Sequence, residues 1–148
     1  MKIPLFDIDG TVLKYGSIRT HHDAFSYALE NVYKVKASTD EIRGSGKTDN
    51  QIILEVLKLH GVPEEEIKNK LSIATEIMAE YFLEHKGKDK YIVLPGVKKL
   101  LKILKEKNVP VGILTGNVEG IGWGKMEMAG LRPFFDFGSF GNLAFKRV

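Results

Sequence analysis

A continuous apolar run, Val109 to Leu114, constrains the fold of this chain more than any other feature. It lies between two segments with helical periodicity, one that follows Pro95-Gly96 and one that ends at Ala129 before Gly130. A strand that is apolar on both sides and lies between helices is typical of a parallel sheet with both faces covered. The run therefore predicts an α/β fold.

Two further segments predict strands of the same sheet. Residues 2–8 form a short apolar run, in which Pro4 favours an edge position, and residues 134–140 predict the last strand. The segment between the first strand and Pro95 instead repeats its apolar residues at helical spacing, with Thr20 as the expected N-cap of the first helix. Helices thus interrupt the sheet after its first strand.

This order of elements predicts the domain organisation. We expect a Rossmann-like, parallel-sheet core made of residues 1–16 and 89–148. Residues 17–88 should form an all-helical unit inserted after the first strand.

Composition excludes several kinds of protein. The 148 residues are 43% hydrophobic and 28% charged, as in folded globular domains. The 22 Lys and Arg and 19 Asp and Glu residues give a net charge of +3 with mixed signs along the chain, which does not favour nucleic-acid binding. Cysteine is absent, which excludes disulfides, and the N-terminal run is too short and too acidic for a signal peptide or a membrane span. We expect a cytoplasmic protein without a membrane partner.

Polar clusters follow two of the predicted strands. Asp7-Ile8-Asp9-Gly10-Thr11 follows the first strand, and Thr115-Gly116-Asn117 follows the apolar run. Ligands bind at the carboxyl ends of parallel strands, so these clusters should be neighbours. One carboxylate can attack phosphorus while a second carries a proton, and a hydroxyl beside a helix N-terminus can bind an anion. Two alternatives remain open: Asp9-Gly10 makes only a hairpin turn, and Thr115 or Asn117 only caps the following helix.

The string Phe6-Asp7-Ile8-Asp9-Gly10-Thr11-Val12 resembles the first motif of the haloacid dehalogenase superfamily of aspartyl-phosphate phosphohydrolases. Gly112 to Asn117 resembles the second motif. The resemblance implies that Asp7 is the nucleophile and Asp9 the general acid and base. It also implies that the phosphoryl group is bound by Gly10, Thr11, Thr115, Gly116 and Asn117.

Lys125 begins the string Lys-Met-Glu-Met-Ala-Gly-Leu, which resembles the region of the third motif. The resemblance implies that this lysine neutralises the phosphate, and a cation beside such a transition state would lower its energy. The alternative is a solvated surface lysine.

The helical unit resembles the small cap domain of phosphoglycolate phosphatase and β-phosphoglucomutase relatives. Its expected substrate-facing loop is Gly46-Lys47-Thr48-Asp49, with Lys47 and Asp49 as substrate contacts. Together with the preceding Gly44-Ser45-Gly46, this loop resembles the end of a phosphate-binding P-loop. We reject a nucleotide site because no strand precedes the loop. His21-His22-Asp23 suggests a metal site, yet adjacent residues diverge on a helix, which favours an exposed first turn.

The family has a fourth motif, Gly-Asp-x-x-x-Asp, that this sequence lacks, because Asp136 is its last acidic residue. The resemblance implies magnesium, with Asp7 and the carbonyl of Asp9 as its expected protein ligands and a reduced affinity and rate. The sequence reads as truncated before this motif. That would leave the first strand at an open edge, and we expect a homodimer partner or a complementing chain to cover it.

The resemblance as a whole implies a Mg²⁺-dependent phosphomonoester hydrolase that acts on small phosphorylated metabolites through an aspartyl-phosphate intermediate. Two alternatives are kept. One is a catalytically impaired remnant that binds phosphate or a partner chain without turnover. The other, a minor option, is haloacid dehalogenation, in which the first aspartate attacks carbon.

Overall fold

This computed structural model describes residues 2–15 and 19–143, in which a block of three helices follows the first two strands, and strands and helices then alternate. In chain order the strands and α-helices are β1 (Leu5–Phe6), β2 (Leu13–Tyr15), α1 (Thr20–Tyr33), α2 (Asp49–Leu59), α3 (Glu64–His85), β3 (Tyr91–Val93), α4 (Val97–Glu106), β4 (Gly112–Leu114), α5 (Glu119–Met128) and β5 (Phe137–Ser139). Short 3-10 turns occupy Thr39–Glu41, Lys86–Lys88, Arg132–Phe134 and Gly141–Leu143. The predicted α/β class is confirmed.

A parallel sheet with the strand order β1-β4-β5 forms the main sheet. Its register aligns Leu5 with Gly112 and Gly112 with Phe137. β1 is at an edge of this sheet among the described residues, as Pro4 predicted, and the carbonyl of Pro4 accepts a hydrogen bond from Gly112 N at 3.1 Å. The predicted strands at 109–114 and 134–140 are each shortened to three residues.

Only one face of this sheet is covered by described residues. Helices α4 and α5 both pack on the face that carries Ile113, through Leu101 and Met126. Successive side chains of a strand point to opposite faces. The other face therefore carries Leu5, Leu114 and Phe137, which are 53%, 48% and 43% exposed. The expectation of a doubly covered β4 is thus wrong for the described residues, since the sequence cannot show which apolar face has a neighbour.

Helices α1, α2 and α3, which we call the helical unit, pack around a separate apolar cluster that includes Phe25, Ile53 and Met78. Helix α5 also contributes to this cluster, through Val118 at its N-cap and Ile121 in its first turn. The same helix places Met126 in the sheet's apolar cluster. Helix α5 is therefore shared by the two cores and holds the helical unit against the sheet.

An antiparallel pair of strands, β2 and β3, joins the two chain segments that lead into and out of the helical unit. Close by, Asp89 accepts hydrogen bonds from Thr20 Oγ1 at 2.5 Å and from Tyr91 Oη at 2.9 Å. Thr20 is the first residue of α1 and Arg19 is its N-cap, so the predicted N-cap is wrong by one residue. Asp89, which accepts hydrogen bonds from the first residue of α1, is distant in sequence, so no local pattern predicts it.

Among residues 2–15 and 19–143, no helix combines the length and the apolar character needed to cross a membrane.

Candidate active site

A cavity of about 350 Å³ lies where the helical unit meets the carboxyl ends of β1 and β4. Its walls come from the segments after these strands, from α1 and from the loop at 39–49. The predicted site residues that line it are Asp7, Asp9, Lys47, Asp49, Thr115, Gly116 and Asn117. The structure therefore brings residues of both strand-end clusters together with residues of the helical unit.

The turn after β1 presents two carboxylates to this cavity. Ile8, between them, is fully buried in the sheet's core, and its carbonyl accepts hydrogen bonds from the N–H groups of the three residues at 11–13. Gly10 adopts φ +79°, a backbone conformation that glycine tolerates best. With Ile8 turned inward, Asp7 and Asp9 both line the cavity. The hairpin alternative is wrong, because β1 pairs with β4 and β2 pairs with β3, but the chain does turn here and this turn places both acids.

Thr115 and Asn117 lie beside Asp9. Asn117 Nδ2 donates to Asp9 Oδ2 at 2.8 Å and to Thr115 Oγ1 at 2.7 Å. Both side chains are 4% exposed. Neither of them is the N-cap of α5, which is Val118 without a side-chain cap of its own. The alternative in which these residues only cap the helix is therefore wrong.

Lys125 is completely buried, so the surface-lysine alternative is wrong. Its Nζ donates to Asp9 Oδ1 at 2.9 Å and Oδ2 at 3.0 Å, and to Asn117 Oδ1 at 2.8 Å. It does not line the cavity. Lys125 therefore reaches Asp9 from the protein interior while Asp9, with 38% of its side chain exposed, faces the cavity.

The surroundings of Asp9 favour its ionised form. Partial burial raises the pKa of Asp9, but the positive charge of Lys125 and the hydrogen bond from Asn117 together outweigh that effect, and the net pKa is lowered from the ordinary value of 3.8. A carboxylate held in this form has no proton to donate, and it accepts one less readily than an ordinary aspartate does.

Gly10 and Thr11 do not line the cavity. Both are exposed, and the Thr11 N–H donates to the Ile8 carbonyl at 3.2 Å within the turn. Their predicted contact with phosphate has no counterpart in this geometry and stays a prediction.

Lys47 lines the cavity and forms an ion pair with Glu55 of α2. Glu55 also accepts a hydrogen bond from Gln51 Nε2 at 2.9 Å. The lysine is thus held at the cavity wall, where the predicted substrate contact would need it.

Asp49 is buried, with 3% exposed, and its side chain is engaged by the protein. Its Oδ2 accepts from Val118 N at 2.8 Å and so satisfies the N–H of the N-cap residue of α5. Its own N–H donates to the Gly116 carbonyl at 2.8 Å. Gly116 has no room for a larger side chain, because a Cβ there would lie 2.6 Å from the Lys47 carbonyl oxygen. Asp49 and Gly116 thus dock the loop of the helical unit onto the segment after β4.

His21 is the residue that sequence reasoning missed. It is 6% exposed, not part of an exposed first turn. Its Nε2 lies 3.1 Å from Asp49 Oδ2, and its Nδ1 lies 3.1 Å from Lys125 Nζ. The signal was present, because His21 precedes Phe25 and Ala28 by four and seven residues and so extends the apolar stripe of α1.

The family model for haloacid dehalogenase-like hydrolases matches residues 1–142. The chain belongs to this family. The resemblance carried by the two strand-end clusters is therefore confirmed at the level of the family. A search of curated proteins finds no match.

Solved structures of several other proteins share the fold. CbbY from Rhodobacter sphaeroides, in complex with phosphate, has a TM-score of 0.67 at 18% identity, covering 98% of this chain and 65% of that one. A predicted phosphoglycolate phosphatase from Haemophilus somnus has a TM-score of 0.59 at 20% identity, covering 95% of this chain and 62% of that one. A hydrolase from Pseudomonas syringae has a TM-score of 0.62 at 18% identity, covering 98% and 63%. This chain thus spans less than two thirds of the length of these structures.

Proposed function

We propose that this chain carries the catalytic carboxylates of a phosphomonoester hydrolase that acts on small phosphorylated metabolites. The observation that supports this most is the pair Asp7 and Asp9 at one cavity wall, with Thr115 and Asn117 beside them. The bound phosphate of CbbY and the complex of a CbbY variant with xylulose-1,5-bisphosphate belong to those proteins, and they make a phosphorylated small molecule the first substrate class to test.

In the proposed reaction a carboxylate oxygen of Asp7 attacks phosphorus, and the bond from phosphorus to the leaving oxygen breaks. Asp9 gives its proton to that oxygen, so the products of this step are an alcohol and an aspartyl phosphate. Asp9 then takes a proton from water, which attacks phosphorus and releases phosphate while Asp7 regains its carboxylate. The lowered pKa of Asp9 opposes the first step, which therefore needs the negative charge of the bound phosphate to raise that pKa until Asp9 is protonated.

Thr115, Gly116 and Asn117 are proposed to bind the phosphoryl oxygens, through a hydroxyl, a backbone N–H and an amide. They lie at a helix N-terminus, where donors and the helix dipole favour an anion. Lys125 is proposed to stabilise the negative charge that gathers at Asp9 and at the phosphoryl group.

The helical unit is proposed to act as the cap, residues 17–88, over the core of residues 1–16 and 89–148. Its loop at 39–49 supplies much of the cavity wall, and Lys47 is the proposed contact to the part of the substrate that does not react. Closure over the substrate would exclude water from the aspartyl phosphate.

Magnesium is the proposed cofactor. The described residues contain no group of three His, Cys, Asp or Glu side chains able to hold a metal ion. The residues present do fit the kind of Mg²⁺ site that uses one or two protein oxygens, with water and phosphate as the remaining ligands. Asp7 through its carboxylate and Asp9 through its carbonyl would hold the ion, because the Asp9 carboxylate is engaged by Lys125. When bound, Mg²⁺ would neutralise charge on the phosphoryl oxygens.

A second candidate is a protein that binds phosphate without turnover. The observation in its favour is the same small set of metal ligands among the described residues. Both candidates use the same cavity, so they differ only in whether phosphate is released.

The deciding experiment is phosphate release from an aryl phosphate with and without Mg²⁺, comparing the chain with Asp7→Asn. The proposal expects Mg²⁺-dependent release that Asp7→Asn abolishes. Asp23→Asn is the matched control, because Asp23 is exposed on α1 and does not line the cavity. No release from the folded chain, together with phosphate binding by calorimetry, would favour the second candidate.

We also propose that a second copy of this chain or a complementing chain covers the edge of β1 and the sheet face that the described residues leave uncovered. Parallel sheets are found with both faces covered, whereas Leu5, Leu114 and Phe137 are about half exposed here. A cytoplasmic location and the absence of nucleic-acid and membrane partners stay predictions.

A further inference from the structure

A chain of buried polar side chains crosses from the helical unit to the candidate catalytic residues. Asp49, His21 and Lys125 are 3%, 6% and 0% exposed. Asp49 and His21 belong to the helical unit, and Lys125 belongs to α5. The contacts run from Asp49 to His21 at 3.1 Å, from His21 to Lys125 at 3.1 Å, and from Lys125 to Asp9 at 2.9 Å.

The donors and acceptors in this chain fix its direction. A lysine ammonium only donates hydrogen bonds, so His21 Nδ1 must accept from Lys125. The hydrogen of a neutral imidazole then lies on Nε2, which donates to Asp49 Oδ2. Asp49 therefore selects the tautomer of His21 that can hold Lys125, as a carboxylate behind a histidine commonly does.

The aromatic surroundings of His21 hold its ring in place. The ring stacks on Phe25 with centroids 5.1 Å apart and planes 19° apart. The ring of Phe82, on α3, packs against it in a T-shaped arrangement with centroids 6.3 Å apart. His21 thus has one orientation, in which its two nitrogens face Asp49 and Lys125.

We propose that His21 and Asp49 are positioning residues of the haloacid dehalogenase-like site, which hold the Lys125 ammonium on the Asp9 carboxylate only while the helical unit is docked on the sheet. This inference rests on the proposed function. Lys125 loses an acceptor when the helical unit moves away, so the placement of the lysine depends on docking. The two residues act through Lys125 and not on the reacting atoms.

The test compares two substitutions of His21 in the full chain. His21→Gln keeps an acceptor for Lys125 and a donor for Asp49, whereas His21→Phe keeps only the aromatic ring. We expect His21→Phe to lower kcat for an aryl phosphate by roughly tenfold to a hundredfold, because misplacing a catalytic group by about 1 Å can have an effect of that size. KM should change little, and His21→Gln should recover most of kcat.

His85→Phe is the matched control. His85 also stacks on an aromatic ring, that of Tyr81, with centroids 4.1 Å apart, but it does not line the cavity. It should keep the activity of the unmodified chain. Thermal unfolding of all three variants shows whether each is folded. Unchanged kcat in folded His21→Phe, or an equal loss of kcat in folded His21→Gln, would overturn the positioning role.

A second readout needs no turnover. The ¹⁵N chemical shifts of labelled His21 should show the hydrogen on Nε2, and the Lys125 Nζ signal should move in His21→Phe but not in His85→Phe. A hydrogen on Nδ1, or an unmoved Lys125 signal, would contradict the inference. If the unmodified chain releases no phosphate, the proposed function fails by itself, and these signals still decide whether His21 holds Lys125.

Discussion

Asp9 and Lys125 form an ion pair in which one partner is buried and the other faces a cavity. Removing either charged side chain alone leaves the other charge unpaired, whereas removing both leaves no unpaired charge. We predict that Asp9→Asn and Lys125→Met each lower the free energy of unfolding, and that the double variant loses less than their sum by about 1 to 3 kcal/mol. Urea unfolding of the four proteins measures this coupling.

The control for this comparison of single and double variants is the ion pair Lys86 and Glu127. Their side chains are 25% and 55% exposed, and Lys86 Nζ lies 3.3 Å from Glu127 Oε2. Exposed pairs of this kind couple by roughly 0 to 1 kcal/mol. Additive effects at Asp9 and Lys125, equal to those of the control pair, would mean that the buried lysine does not depend on Asp9 for its stability.

The lowered pKa of Asp9 predicts how stability depends on pH. A carboxyl group with a lowered pKa in the folded state contributes stability that is fully present above its unfolded pKa. That contribution is lost as the pH falls below the ordinary value of 3.8 and through the lower folded value. The difference in unfolding free energy between the unmodified chain and Asp9→Asn should therefore be constant from about pH 5 to 7 and shrink in stronger acid. A difference in unfolding free energy that is the same at about pH 2 as at about pH 7 would contradict this prediction.

The sequence predicted some of these residues well and others not at all. Asp7, Asp9, Thr115 and Asn117 follow apolar strands directly, and parallel strands end at a common edge, so their proximity could be predicted. The role of His21 could not, because it depends on Lys125, which is 104 residues away. A periodic pattern shows that a histidine is buried, but not which partners it meets.

At the level of secondary-structure elements, the contact between the loop at 44–49 and the segment after β4 depends on Gly116. A Cβ there would lie 2.6 Å from the Lys47 carbonyl oxygen and 3.2 Å from Thr48 Cα. Since these are backbone atoms, they cannot turn away as a side chain can. We predict that Gly116→Ala lowers the free energy of unfolding by about 1 to 3 kcal/mol. It should also raise amide hydrogen exchange in the loop at 44–49.

Gly87→Ala is the control for this substitution. Gly87 is exposed, and a Cβ there would have no atom within 4 Å. The control should leave both the stability and the exchange of the loop unchanged. Equal behaviour of the two variants would mean that the loop is not docked through this contact.

Helices were predicted better than strands. The apolar stripes of α1, α2 and α3 run for several turns, so the helical character of this segment could be predicted. The pair β2 and β3 was missed, although Tyr91–Val93 consists of good strand formers. Three residues are too few to establish alternation, and the pairing is set by the helices between the two strands.

At the level of the whole molecule, the sheet face that no described residue covers leads to a prediction about assembly. Leu5 is 53% exposed and lies on β1, the open edge. We predict that the chain self-associates as its concentration rises and that Leu5→Lys weakens this association. Leu59→Lys is the control, because Leu59 is 65% exposed at the end of α2, away from the sheet. Sedimentation velocity over a range of concentrations provides the measurement. A folded monomer at all concentrations would exclude a second copy as the covering chain.

Helix α5 belongs to two apolar clusters, and this has a consequence for temperature. Lifting the helical unit away from the sheet would expose Val118 and Ile121, which are 2% and 0% exposed when it is docked. Apolar burial is the interaction that weakens on cooling, so the undocked form should be more populated in the cold. Exchange of molecules through the cavity should then slow less on cooling than a chemical step would, because the undocked form becomes more populated as the solvent cools.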